Sequence, residues 1–386
     1  MRFLTAGESH GKGTIVILEG FPAGLAITRD DIDHDLSRRQ KGYGRGGRML
    51  IEKDQVEILS GIRKGMTLGS PITLFVKNSD YVNWEKIMTP DLTGDNPGNP
   101  LKRPRPGHAD LPGGQKYDQR DLRNILERAS ARETTVRVAA GAVAKKFLKS
   151  FQILVQSHVV QLGTASSKSD RIPELKNLND NADRSPVRML EKAAEKMAMA
   201  QVDKAKEKGD TLGGIFEVII TGAPTGLGSH VQWDRKLDGR FAQSLMSMQA
   251  IKGVEIGKGF ENATRFGSEV HDEIGYRKDK GFFHFTNRAG GIEGGMSNGE
   301  PIVIRVAKKP ISTLKKPLRS VDIDTKKEIK AAYERSDVCA LPAASVIGES
   351  ICAWVVADAF HEKMGGDYMD EIQERYRSYL KHLKNY

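Results

Sequence analysis

The sequence predicts an α+β protein that mixes antiparallel sheets with helices, and three features lead there. Short apolar runs at residues 49–51, 56–59 and 72–76, punctuated by Gly and Pro, have the length of antiparallel strands. Stripes such as Val136, Ala140, Val143 and Phe147, or Leu237, Phe241, Leu245 and Met248, recur at near-helical spacing. No internal repeat, low-complexity linker or composition shift divides the chain, so residues 1–386 read as one domain.

From the amino terminus, residues 5–14 form a Gly-rich turn holding Ser9 and His10, and an apolar run at 15–18 reads as a buried strand. The turn lacks the Walker spacing, and a lone His in such a turn is more often structural or solvated. Thr28 and Asp31 then open a helix with Ile32 and Leu36 on its apolar side. Residues 38–48, Arg-Arg-Gln-Lys-Gly-Tyr-Gly-Arg-Gly-Gly-Arg, put five cations and four glycines into a flexible basic loop. Three readings stand for it: a solvated charge cluster, an RNA contact, or a lid that clamps an anion. Residues 78–106 are polar and Pro/Gly-punctuated, hence loop.

That loop leads into the stretch around which the rest is organised, Arg-Pro-Arg-Pro-Gly-His-Ala-Asp at 103–110. Pro104 and Pro106 remove two backbone donors and hold their neighbours extended. The answering segment, residues 128–135, carries Ser130 and Glu133 at capping-box spacing, which predicts a helix start there and a helix to about residue 149. A helix amino terminus seats anions, and Arg128 and Arg132 lie one turn apart beside it. A stiff basic loop beside a basic helix start points to a small anionic ligand.

Further on, residues 153–162 read as a strand and 185–208 as a charged helix running from Ser-Pro to Gly209. A strand at 216–221 precedes a helix capped by Asp234, whose Met-containing stripe reads as core. Residues 253–260 resemble a strand with glycines at its ends rather than a dinucleotide fingerprint. The Gly-rich segment 287–299 is either a plain hairpin or backbone bared for a planar ring or phosphate. A strand at 302–306 follows, then Arg335 and Asp337, a pairing that usually lies on the surface. The chain ends with an apolar helix at 345–364 and a charged amphipathic helix or tail at 368–386.

Hydrophobic residues at 38% and charged ones at 28% are ordinary for a soluble protein, while the net charge of +10 favours acidic partners. No stretch approaches the apolar length of a membrane span, and the start lacks a secretory apolar region. Cys339 and Cys352 have no metal-ligand or redox spacing, so no metal site is expected and reduced thiols in the cytoplasm are the default. A nucleic-acid binder would interleave aromatics with its cations, and residues 38–48 hold only Tyr43.

Seven stretches taken together resemble the chorismate synthase family over nearly the whole chain. They are Gly-Glu-Ser-His-Gly (7–11), the Arg/Gly run (38–48), Arg-Pro-Gly-His-Ala-Asp (105–110) and Arg-Ala-Ser-Ala-Arg-Glu-Thr (128–134). The others are the Gly-rich segment (290–299), Lys-Pro-Ile-Ser-Thr (309–313) and Arg-Ser-Asp-x-Cys-Ala-Leu-Pro-Ala (335–343). Each alone is weak; seven in order are specific, and no position the family uses departs from its pattern. The resemblance implies anti-1,4 elimination of phosphate and a ring proton from 5-enolpyruvylshikimate 3-phosphate, giving chorismate in the shikimate pathway. It implies reduced FMN as cofactor despite no net redox change, with NADPH a candidate reductant. It also implies a β-α-β sandwich of antiparallel sheets enclosing helices, assembled as a homotetramer, with neither nucleic acid nor membrane as partner.

Carried over by position, Ser9, Arg39, Arg45, Arg48, Arg105, Arg132 and Arg335 would bind substrate. Arg128, Ala129, Ser130, Gln249, Ala250, Gly294, Lys309, Pro310, Ile311, Ser312, Thr313 and Arg335 would hold FMN. His10 would serve the departing phosphate, His108 the pyrimidine edge of the flavin, and Asp337 the ring proton. The alternatives are an NAD(P)H-dependent flavin oxidoreductase and a basic nucleic-acid-binding protein.

Overall fold

The computed structural model describes residues 1–47, 53–91, 100–167, 175–279, 281–334 and 336–386; the expected strand at 49–51, Arg48 and Arg335 lie outside them. In chain order the first half contains β1 (Arg2–Gly7), β2 (Gly13–Glu19), α1 (Arg29–Gln40), β3 (Val56–Ser60) and β4 (Ile72–Lys77). Then come α2 (Asp110–Lys116), α3 (Arg123–Ala129), α4 (Thr134–Lys149), β5 (Leu154–Leu162) and β6 (Ala165–Ser166). The second half adds α5 (Lys192–Glu207), β7 (Gly214–Thr221), α6 (Leu237–Met246), β8 (Ile251–Ile256), β9 (Ile302–Lys308), α7 (Leu341–Met364) and α8 (Met369–Asn385).

Two antiparallel sheets enclose a layer of helices, as the family resemblance implied. The first has strand order β1-β2-β4-β3 and the second β8-β9-β7-β5-β6. Period-two alternation sets the register of the first sheet: Thr14, Val16 and Leu18 of β2 stand opposite Val76, Leu74 and Ile72 of β4, and all six are buried. The apolar stripe of α4 covers them, with Val136, Ala140, Val143 and Phe147 all buried. On its other side α4 packs against α7, and α7 lies on β5 and β7 of the second sheet.

Glycine makes this packing close. A Cβ on Gly141 of α4 would lie 2.3 Å from Ser350 Cβ on α7, and one on Gly348 would lie 2.4 Å from the Phe216 ring of β7. Enclosed on both sides, α7 buries residues around most of its circumference, Glu349 among them. It is long and apolar enough to cross a membrane by composition, contrary to the sequence expectation, but 89% of its apolar window is buried within the protein. Cys339 and Cys352 are free thiols in this core.

Several local expectations need correction. Ser130 and Glu133 do not form a reciprocal capping box: Ser130 Oγ accepts from Arg132 N at 3.3 Å, while Glu133 accepts from Arg137 Nε and Thr5 Oγ1, each at 2.9 Å. A cationic partner one turn away competes with a backbone amide for that carboxylate. Residues Ala131–Glu133 therefore form a 3₁₀ turn, and Arg128 and Arg132 belong to different elements. The helix expected from Ser185 starts at Lys192, because Val159 N donates to Arg188 O (2.9 Å) and Arg188 takes φ +59°. Asp234 lies in the 3₁₀ turn Trp233–Arg235 and does not cap α6, which follows Lys236. Arg38 and Arg39 close α1 instead of opening a loop.

Candidate active site

The β1–β2 turn is gripped by the last turns of α3. Glu127 O accepts from Ser9 N at 3.0 Å, and Glu127 Oε2 accepts from His10 N at 2.7 Å. His10 Nδ1 lies 2.8 Å from Glu127 Oε1. The imidazole stacks on Trp84 with centroids 4.0 Å apart, and the Arg123 guanidinium lies over the same indole at 4.9 Å. Ser9 is buried, and its Oγ accepts from Ser130 Oγ at 3.1 Å. Burial works to raise the pKa of Glu127, but its bonds to His10 and the charge of Arg123 outweigh it and hold the carboxyl below its usual range.

Behind this turn, two buried guanidiniums share one carboxylate. Arg39 Nη1 donates to Asp54 Oδ2 at 3.2 Å and Arg132 Nη1 to Asp54 Oδ1 at 2.5 Å. Arg39 also reaches Thr134 Oγ1 and Ala131 O, and Arg132 reaches Asn78 Oδ1. Burial pushes the pKa of Arg39 down to about 10; Arg132 and Arg45 add to the push, and Asp54 and Asp337 oppose it. Two guanidiniums converging on one buried carboxylate give the oriented N–H donors that an anion site uses. Arg45 pairs with Asp337 Oδ2 at 3.1 Å, and Gly46 N donates to Asp337 Oδ1 at 2.6 Å.

The 103–110 loop is held from inside. Asp110 is fully buried and takes Arg105 through Nε at 2.8 Å and Nη2 at 3.0 Å, with His108 Nδ1 at 2.6 Å from its Oδ1. Burial alone would raise the pKa of Asp110; His108 and Arg105 reverse that and hold it well below the ordinary range. Arg105 Nη1 donates to Thr313 Oγ1 at 3.0 Å, and Lys309 Nζ donates to Gly107 O, so the 309–313 segment lies along this loop. Ser336 Oγ donates to Thr313 O at 3.2 Å, which joins the loop to the Asp337 side.

The family model described as chorismate synthase matches residues 1–361. The chain belongs to the chorismate synthase family. It is 57% identical over 393 residues to the chorismate synthase of Aquifex aeolicus (strain VF5), covering 100% of this chain and 99% of that one. It is 56% identical over 398 residues to that of Geobacter metallireducens (strain ATCC 53774 / DSM 7210 / GS-15), covering 100% of both. A solved structure entitled "Crystal Structure of Chorismate Synthase" superposes with TM-score 0.81 at 47% identity, covering 100% of this chain and 98% of that one.

The residues expected to hold a flavin in this family member fall into two groups. Lys309 N donates to Ala250 O at 2.9 Å, which brings Gln249 and Ala250 beside the 309–313 segment. Gln249 Oε1 is buried with no hydrogen-bond partner among the described residues, and Ala250 takes φ +68°, a strained value for a residue with a Cβ. Both features suit a polar ligand lying against this backbone. Arg128 is exposed and donates to Thr5 O at 2.9 Å, with Ala129 and Ser130 following it. Gly294 is tied elsewhere: it lies in the hairpin 292–297, with Leu237 N donating to Gly295 O at 2.8 Å. That segment is thus a hairpin whose tip has open space above Gly294.

Sequence reasoning missed the carboxylates that organise these cations. Asp110 ends a quoted motif and Glu127 directly precedes another, so position within the motifs was the available signal. Asp54 and Trp84 sit in stretches that carry none.

Proposed function

We propose that this protein converts 5-enolpyruvylshikimate 3-phosphate to chorismate by anti-1,4 elimination, with reduced FMN bound beside the substrate. The observation that carries the reading is the Arg39–Asp54–Arg132 cluster, whose two converging guanidiniums suit a substrate bearing a phosphate and two carboxylates. Arg45, Arg48, Arg105 and Arg335 complete the clamp, since guanidinium forks meet such oxygens bidentately. His10 gives its proton to a phosphate oxygen as the C–O bond breaks, and Asp337 takes the ring proton. Ser9 positions the phosphate beside His10.

Bound reduced FMN supplies electron density to the substrate. Arg128 to Ser130, Gln249, Ala250, Gly294, residues 309–313 and Arg335 would hold it, and His108 would adjust the protonation of its pyrimidine edge. NADPH as reductant, a cytoplasmic location and a homotetramer belong to the same proposal. The exposed Trp233, Phe260, Phe266 and Tyr276 support assembly with further copies. The continuous core from Val16 to Ile372 supports a single domain.

The test is an anaerobic mixture of protein, reduced FMN and substrate, following phosphate release and chorismate absorbance together. Product that requires reduced flavin is the expected result. Steady nicotinamide consumption with an acceptor and no chorismate would favour the oxidoreductase reading instead.

A further inference from the structure

We propose that Glu127 is a positioning residue that fixes the orientation and tautomer of His10. This rests on the reading of His10 as the proton donor. Glu127 makes three contacts with the 9–10 turn through three different atoms: its carbonyl to Ser9 N at 3.0 Å, Oε2 to His10 N at 2.7 Å and Oε1 to His10 Nδ1 at 2.8 Å. Its side chain is 2% exposed and that of His10 is 13%, so the pair is shielded from bulk water.

The chemistry follows from which atoms are engaged. The carboxylate accepts at both oxygens, so Nδ1 must carry a proton to bond to it. In the imidazolium form Nε2 carries the second proton. When Nε2 donates that proton to a phosphate oxygen, the C–O bonding pair leaves with phosphate. Neutral His10 keeps its Nδ1 proton on Glu127. Stacking on Trp84 holds the ring plane through the transfer. Among the described residues, Arg123 is a further charged group on this pair: it lies over the Trp84 indole, 3.4 Å from Glu127 Oε1 and 3.7 Å from Glu334.

Glu127→Gln separates these roles. The His10 backbone N–H still requires an oxygen acceptor, which turns the new amide N–H₂ toward Nδ1. That amide bonds to an unprotonated Nδ1, so the neutral ring moves its proton to Nε2 and the imidazolium loses its counter-charge. We expect kcat to fall roughly 10- to 100-fold with KM changed less than about threefold. Nitrogen-15 spectra of the labelled protein should show neutral His10 as the Nδ1–H form in wild type and the Nε2–H form in the variant. Glu127→Asp, which keeps the charge, should retain the Nδ1–H form with an intermediate kcat, and it serves as the test if the Gln variant does not fold. An unchanged tautomer in Glu127→Gln, or the same change of tautomer in both variants, would overturn the proposal. His10→Gln separates the two readings: full activity there would remove His10 as donor, while the tautomer change in Glu127→Gln would still establish positioning.

Discussion

Replacing Asp54 by Asn should uncouple substrate affinity from fold stability in a measurable way. The Asp54 side chain is fully buried, and its two oxygens bind Arg39 at 3.2 Å and Arg132 at 2.5 Å. Asn keeps the shape but removes the charge and turns amide hydrogens toward guanidinium hydrogens. Removing one partner of a buried ion pair destabilises by about 3–5 kcal/mol. Both guanidiniums keep other acceptors, Thr134 Oγ1 and Ala131 O for Arg39 and Asn78 Oδ1 for Arg132, which argues for the lower end. Urea unfolding should therefore show a loss of about 3 kcal/mol. An anion seated between the arginines should restore much of it, since a ligand at a hundredfold its Kd adds about 2.7 kcal/mol. Repeating the titration with excess inorganic phosphate should stabilise the variant more than the wild type. A loss below about 1 kcal/mol, the scale of a surface pair, or no greater recovery with phosphate, would refute the reading of this cluster as an anion seat.

Two further predictions concern the scaffold. Gly141→Ala should destabilise by about 1–3 kcal/mol through overpacking, because the new methyl would lie 2.3 Å from Ser350 Cβ and 2.6 Å from its backbone; thermal denaturation reads this, and an unchanged midpoint would contradict the close α4–α7 crossing. Acid sensitivity should follow from Asp110, Glu217 and Glu349, whose folded-state pKa values are all held below the ordinary range by cationic neighbours despite burial. Such depressed groups stabilise fully above the unfolded carboxyl pKa and lose that contribution as pH falls through the folded values. Urea midpoints should hold near neutrality and decline below the ordinary carboxyl range, with a shallower decline in Asp110→Asn.

Helices and strands with regular apolar spacing were legible, and α1, α4, β4 and β9 lie close to where periodicity put them. What failed were starts and caps. Glu133 carries the sequence signature of a capping residue, yet Arg137 and Thr5 claim its carboxylate, and Thr5 comes from 128 residues away. A distant partner leaves no local trace. Site residues show the same limit: arginines were visible as a class, whereas the carboxylates that aim them, Asp54, Asp110 and Glu127, are ordinary acids until the fold brings them together.

Arg38 and Arg39 make the point most sharply, since they are adjacent and share one motif. A helix turns about 100° per residue, so consecutive side chains cannot face the same neighbours. Arg38 points inward to Glu349 of α7 at 2.8 Å, Asp35 at 2.8 Å and Asp183 at 2.7 Å. Burial alone would lower its pKa, but these carboxylates outweigh that and raise it. Arg39 faces the 131–134 turn, shares Asp54 with Arg132, and has its pKa lowered instead. One guanidinium is therefore satisfied by the protein and locks α1 to the core helices. The other shares its carboxylate with Arg132 on the site side, and the difference lies in acids from positions 35, 54, 183 and 349 rather than in the arginines themselves. An Arg38→Lys change should accordingly register in stability and an Arg39→Lys change in substrate affinity, with unfolding and KM measured on both. Equal effects on both quantities would mean that the two side chains do one job.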